Sequence, residues 1–233
     1  MKITQHGNHF WQLTRYAVFN CYLVEEGESL TLVDSNLPGS ADAIVQAAHT
    51  IGKPITRIVL THAHSDHAGS LDEVAQRLPN AEVAFTQRTA DFLQGNLALH
   101  ADEPQSKLRG SFVTRQTAPT RLLVPGDVVG SLRVVATPGH TPDQVAFFDE
   151  RDGSLIAGDA LQTQAGVAVA GDIRWLFPFP ALATWRLATA LQSAKALREL
   201  KPVRLAVGHG RVVDAPLAQM DAAISAAEAK LHG

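Results

Sequence analysis

The segment His62-Ala63-His64-Ser65-Asp66-His67 sets three imidazoles and one carboxylate within six positions, directly after the apolar run Ile58-Val59-Leu60. Such a run reads as a buried strand, so the polar groups occupy the loop where it ends. Side chains two apart on an extended segment project to the same side, so His62 and His64 can converge on one point. Asp66 and His67 follow as the backbone turns into the helix suggested by Leu71, Val74, Ala75 and Leu78, and can reach a second point nearby. Imidazole nitrogen and carboxylate oxygen are the donors that zinc, iron(II) or manganese accept. A polar loop at a strand end is the plain alternative; four ligand-type side chains at this density favour metal.

Three later segments each place one ligand-type residue after an apolar, strand-like run: Thr137-Pro138-Gly139-His140-Thr141, Ile156-Ala157-Gly158-Asp159 and Ala206-Val207-Gly208-His209-Gly210. In this order, with the His62–His67 motif, they resemble the metallo-β-lactamase superfamily, and the resemblance covers nearly the whole chain. It implies an α/β fold, a four-layer αβ/βα sandwich in which two mixed β-sheets are flanked by helices. It also implies that His62, His64 and His140 hold one metal ion, that Asp66, His67 and His209 hold another, and that Asp159 bridges them. The implied cofactors are two divalent ions, Zn2+ foremost, with Mn2+, Fe2+ or Co2+ also suited to such donors. Asp34 matches a carboxylate that members place near the metal loop, which implies that it orients a ligand or the loop. The competing reading, an Asp that opens the turn Asp34-Ser35-Asn36-Leu37-Pro38-Gly39, stands equally well.

Five imidazoles and two carboxylates around two divalent ions leave net positive charge, so a shared water would lose a proton near neutral pH. The resemblance therefore implies a hydrolase that uses a metal-bridging hydroxide to cleave a small ester, lactone or thioester. Asp66 is the catalytic residue expected to hand a proton to the departing group. Redox di-iron members carry glutamate where this chain has His64, which favours hydrolysis over electron transfer. True β-lactamases of the family lack an aspartate equivalent to Asp159. Glyoxalase II-type thioesterases share the ligand set but carry a helical domain after the last ligand, and small lactonases place a tyrosine where Gln162 stands. A mononuclear-iron sulfur dioxygenase and a non-catalytic metal-bound binding protein are the alternatives.

The remaining chain must position these groups. Residues 10 to 34 alternate and turn like a meander, with strands at Phe10–Leu13, Val18–Val24 and Leu30–Asp34. Helical spacing follows at 41–50, a short strand at 82–85 and a helix at 86–93. Gly95 to Thr120 loses periodicity, as an active-site wall would. In the second half, 121–124, 128–136, 144–148 and 155–157 are strand-like, Asp152-Gly153 signals a hairpin, and 184–200 and 217–231 are helical. These elements suggest a single domain over residues 1–233 with pseudo-symmetric halves of about 1–120 and 121–233. Gln162 and the aromatics Trp175, Phe177 and Phe179 are candidates for the substrate pocket.

A net charge of −3 without a basic block offers nothing to nucleic acid. No stretch has the length and apolarity of a membrane span or a signal peptide, so a cytoplasmic location is expected. The single cysteine, Cys21, lies in a strand-like run and reads as packing. The expected partner is a small-molecule substrate, and nothing in the sequence specifies an oligomeric state.

Overall fold

The alternation in the first third of the chain becomes an antiparallel meander: β1 (Lys2–His6), β2 (Phe10–Arg15), β3 (Phe19–Glu26) and β4 (Ser29–Val33). The chain then crosses over through α1 (Ala41–Ile51) to β5 (Ile55–Val59), through α2 (Leu71–Arg77) to β6 (Glu82–Thr86), and through α3 (Gln87–Leu93) to β7 (Arg121–Leu123). Strands β4 to β7 are parallel, so one mixed sheet of seven strands runs in sequence order. These coordinates are a computed structural model that describes residues 1–232. Strand β1 carries no hydrophobic alternation because it is an edge strand with largely exposed side chains.

The second sheet is built from β8 (Val128–Val129), β9 (Leu132–Ala136), β10 (Val145–Asp149) and β11 (Ser154–Ile156). A small hairpin, β12 (Leu161–Gln162) and β13 (Ala168–Val169), stands apart from it. After α4 (Phe179–Leu182) and α5 (Leu187–Glu199), β14 (Arg204–Ala206) pairs parallel to β11, and β15 (Val213–Asp214) closes the edge before α6 (Leu217–His232). The order is β15-β14-β11-β10-β9-β8.

Burial divides into four layers. Phe10, Tyr22, Val33 and Val59 of the first sheet meet Val134, Phe147, Ile156 and Ala206 of the second in a core between the sheets. The other face of the first sheet packs on helices through Ile44, Leu71, Val74 and Phe92. The other face of the second packs on α5 and α6 through Leu191, Leu197, Met220 and Ala227. This is the expected sandwich of two mixed sheets between helical layers.

Several boundaries differ from the sequence reading: the run 128–136 is two strands, β8 and β9, parted at Gly130-Ser131 and paired with each other, and two further differences bear on the layout. Arg121–Leu123 extends the first sheet beside β6, so the change of sheet falls after Leu123 rather than before Arg121. Helix α5 begins at Leu187 rather than Thr184, because the backbone N–H groups of Trp185 and Arg186 donate to the carbonyls of His140 and Gly139. Those residues anchor a loop instead of opening a helix. Among the described residues, no helix is long and apolar enough to cross a membrane.

Candidate metal centre

The loops that carry the candidate ligands all leave the C-terminal ends of strands: His62 to His67 after β5, His140 after β9, Asp159 after β11 and His209 after β14. Backbone hydrogen bonds tie the loops together at this rim. Val145 N–H donates to Thr61 O at 2.9 Å, Asn20 N–H to Gly208 O at 2.9 Å and Gly208 N–H to Gly158 O at 2.9 Å. All seven predicted ligands meet there in two donor sets, His62, His64 and His140 in one and Asp66, His67, Asp159 and His209 in the other.

In the first set, His62 Nε2 lies 3.2 Å from His64 Nδ1, which lies 3.0 Å from His140 Nε2. The opposite nitrogen of each ring is already committed. His62 Nδ1 faces Thr61 Oγ1 at 3.0 Å, and that hydroxyl donates onward to Asp34 Oδ2 at 2.9 Å. His140 Nδ1 faces Thr184 Oγ1 at 3.1 Å, whose hydroxyl donates to the Pro180 carbonyl at 2.7 Å. His64 Nε2 donates to the Arg109 carbonyl at 3.0 Å. A hydroxyl that spends its proton elsewhere can only accept from a ring N–H, and a carbonyl only accepts. Each outer nitrogen therefore carries the proton, and three lone pairs point at one another. That arrangement is repulsive unless a cation lies between them. Burial pushes the pKa of all three rings down, that of His140 to about 3, so they stand as neutral donors.

The second set is carboxylate-rich. His209 Nε2 lies 3.1 Å from Asp159 Oδ2 and 3.2 Å from Asp66 Oδ2. His67 donates through Nδ1 to Asp34 Oδ2 at 2.8 Å, which leaves its Nε2 facing inward. Burial alone would raise the pKa of both Asp66 and Asp159, but the neighbouring His67 and His209 hold them below the usual carboxylate range. Burial would lower the two histidines, and the carboxylates, Asp159 above all, reverse this and lift His209 to about 9. The carboxylates thus favour positive charge at this set. His67 Nε2 and Asp159 Oδ1 approach to 3.3 Å without hydrogen-bond geometry, and neither has another partner among the described residues. Buried polar atoms of this kind call for a ligand. Both donor sets fit divalent metal ions.

Asp34 accepts from Thr61 N–H at 2.7 Å, from the Thr61 hydroxyl and from His67, so one buried carboxylate orients two candidate ligands across both sets. It follows β4 with φ +64°, its carboxylate is taken up by Thr61 and His67 rather than by the local backbone, and the turn falls further on at Pro38-Gly39. The irregular 95–120 connection is a clamp on His64. Ser65 N–H donates to Ser111 O at 2.8 Å, Phe112 packs edge-on to the His64 ring at 4.7 Å, and Gly110 lies against the ring itself. Three supports escaped the sequence reading. Thr61 adjoins His62 and could have been suspected from its position. Thr184 and Asp143 had no local signal; Asp143 Oδ2 accepts from Ala63 N–H at 2.9 Å across 80 residues and from the Thr89 hydroxyl at 3.0 Å.

A cavity of about 520 Å3 opens over the two sets. Phe177 and Phe179 line it, together with Val18, Phe19, Leu37 and Pro180. Gln162 and Trp175 do not. Gln162 is buried in the β12–β13 hairpin with neither amide atom hydrogen-bonded, and Trp175 points into solvent at 87% exposure. Cys21 is fully buried, and burial pushes its thiol far up, which leaves it inert.

A four-layer αβ/βα sandwich with a three-histidine set beside a histidine–aspartate set at the strand ends defines a metal-dependent hydrolase architecture. The sequence profile of the metallo-beta-lactamase superfamily matches residues 19–209, and the chain belongs to that superfamily. It is 49% identical over 232 residues to the uncharacterized protein YobT of Bacillus subtilis (strain 168), covering 98% of this chain and 99% of YobT. It is 28% identical over 217 residues to the probable metallo-hydrolase YflN of the same organism, covering 83% of this chain and 81% of YflN. Among solved structures, TTHA1623 in a di-iron-bound form superimposes with a TM-score of 0.65 at 27% identity, covering 88% of this chain and 93% of that one.

Proposed function

We propose that the protein is a two-metal hydrolase that cleaves a small carboxylic ester, lactone or thioester. The observation that carries this reading is the pair of adjacent donor sets, one of three neutral imidazoles and one rich in carboxylate, on the floor of a single cavity. When bound, two divalent ions would supply Lewis acidity toward a carbonyl and a water acidic enough to attack near neutral pH. Zinc is the first candidate for both positions; iron is the second, in view of the di-iron form of TTHA1623.

His62, His64 and His140 would hold one ion, and Asp66, His67 and His209 the other, with Asp159 between them. Asp66 moves the proton. Its side chain is 19% exposed, against 5% or less for His67, Asp159 and His209, so the carboxylate has a route to both the cavity and solvent. That carboxylate accepts a proton from the attacking water and returns it to the leaving alkoxide or thiolate. Asp34 and Thr61 keep the imidazoles in the tautomers that face the cavity.

The test is reconstitution with zinc, iron, manganese or cobalt, followed by metal analysis and a panel of lactones, thioesters, esters, phosphoesters and β-lactams. Two ions per chain and turnover of a carboxylic ester, lactone or thioester are expected. Asp159→Ala should lose at least one ion and hydrolysis while its circular dichroism is unchanged. Failure of the whole panel on fully metallated protein would leave a binding protein, and a single iron with persulfide-dependent oxygen uptake would make it a dioxygenase.

A further inference from the structure

Away from the ligands, the cavity is apolar. Val18, Phe19 and Leu37 line it from the first half of the chain, and Phe177, Phe179 and Pro180 from the second. The hydrocarbon surface reaches the ligands themselves: the rings of Phe19 and Phe177 lie 5.4 and 5.5 Å from that of His209, and Phe177 packs edge-on to Phe179 at 5.5 Å. Apart from the candidate ligands, the polar side chains in the lining are Ser65 and Ser111. Among the described residues, no lysine or arginine lines it.

A carboxylate on the substrate, such as a β-lactam or a glutathione thioester carries, would therefore be desolvated here without a counter-charge from the protein. Burying an unpaired charge is strongly disfavoured. An aliphatic group would instead find aromatic surface at every turn. The apolar surface also continues outward. Phe179 lines the cavity yet is 67% exposed. The aromatic lining thus runs from the ligands out to solvent.

We propose that the site takes substrates whose reacting carbonyl carries an uncharged, extended hydrocarbon group, seated on Phe19 and Phe177 and running out over Phe179 toward solvent. The chemistry rests on the hydrolytic reading above; the apolar binding does not. Water adds across the acyl C–O or C–S bond, giving a fatty-type carboxylic acid and an alcohol or thiol. Charged substrates of the same length are poor because their terminal anion has no partner.

Two measurements separate the two readings. The first compares kcat/KM of the metallated enzyme for p-nitrophenyl acetate, butyrate and octanoate and for the mono-p-nitrophenyl ester of suberic acid, which ends an eight-carbon chain in a carboxylate. Octanoate should exceed both acetate and suberate by roughly 10-fold or more, since each buried methylene adds to binding. In Phe177→Asp and Phe179→Ser the octanoate advantage should shrink mainly through KM. The second measurement titrates the uncharged fluorophore N-phenyl-1-naphthylamine with and without metal. Saturable binding, competition by 1-decanol and roughly 10-fold weaker binding in Phe177→Asp are expected. A flat chain-length profile or a preference for suberate overturns the substrate class and leaves the hydrolase standing. No ester turnover together with decanol-competed probe binding that Phe177→Asp weakens overturns the hydrolase and leaves the apolar site. Absence of that probe binding overturns the site.

Discussion

Gly110 shows how closely a residue outside the ligand set controls it. Its φ of +88° is a left-handed conformation that L side chains rarely adopt, and a Cβ built there would lie 2.3 Å from His64 Nε2. Gly110→Ala should therefore push the His64 ring away from the Arg109 carbonyl that fixes its tautomer. The expected result is a loss of about 10- to 100-fold in affinity at the three-histidine set, read by metal titration, while the aspartate-rich set keeps its ion. Asp34→Ala makes the complementary test. It strips His67 Nδ1 and both Thr61 donors of their acceptor, so the aspartate-rich set through His67, and the three-histidine set through Thr61 and His62, should both weaken by about 10- to 100-fold. Two ions held at wild-type affinity in either variant would refute the corresponding orienting role.

Strands β2 and β3 do for His209 what the 95–120 clamp does for His64. The Tyr22 hydroxyl donates to the Val207 carbonyl at 2.6 Å and accepts from its N–H at 3.0 Å, while Asn20 Nδ2 donates to the carbonyls of Val207 and Gly210 and Gln12 Nε2 to that of Gly210. Tyr22→Phe keeps the packing and removes the hydroxyl, leaving the buried Val207 N–H unpaired. Such an orphan costs about 1–3 kcal/mol, so the urea midpoint should fall with an unchanged slope. An unchanged midpoint would show that the pin is dispensable. These pins also explain what the sequence could and could not disclose. The ligands were legible because each ends an apolar run, so strand, loop and donor are encoded within a few residues of one another. Tyr22 and Asn20 lie inside a strand whose apolar pattern accounts for them as core, and their partners lie 185 residues or more away. Edge strand β1 was missed because edge strands need bury little. Gln162 and Trp175 were misplaced because neighbourhood in sequence to Asp159 and Phe177 does not fix which way a hairpin or an exposed turn presents its side chains.

At the scale of the whole molecule, the two halves are joined by a buried carboxylate as well as by the core between the sheets. Asp143 leaves the second sheet between β9 and β10 and accepts from Ala63, between two ligands after the first sheet, and from Thr89 in α3. Its Oδ1 has no hydrogen-bond partner, and burial pushes its pKa from an ordinary 3.8 up to about 6. The folded state therefore binds one more proton than the unfolded state between those values, and stability contributed by this group falls as pH rises through that window. The difference amounts to about 3 kcal/mol once the carboxylate is ionised. Asp143→Asn retains an acceptor for Ala63 and Thr89 and cannot ionise. Other titrating groups are common to both proteins and cancel in a comparison of metal-free samples. The unfolding free energy of the variant relative to wild type should therefore rise by about 2 kcal/mol from pH 4 to pH 7, measured by urea denaturation at each pH. A difference independent of pH would mean that Asp143 titrates in the folded protein as it does in water, and that the carboxylate joining the two halves is solvated rather than sealed.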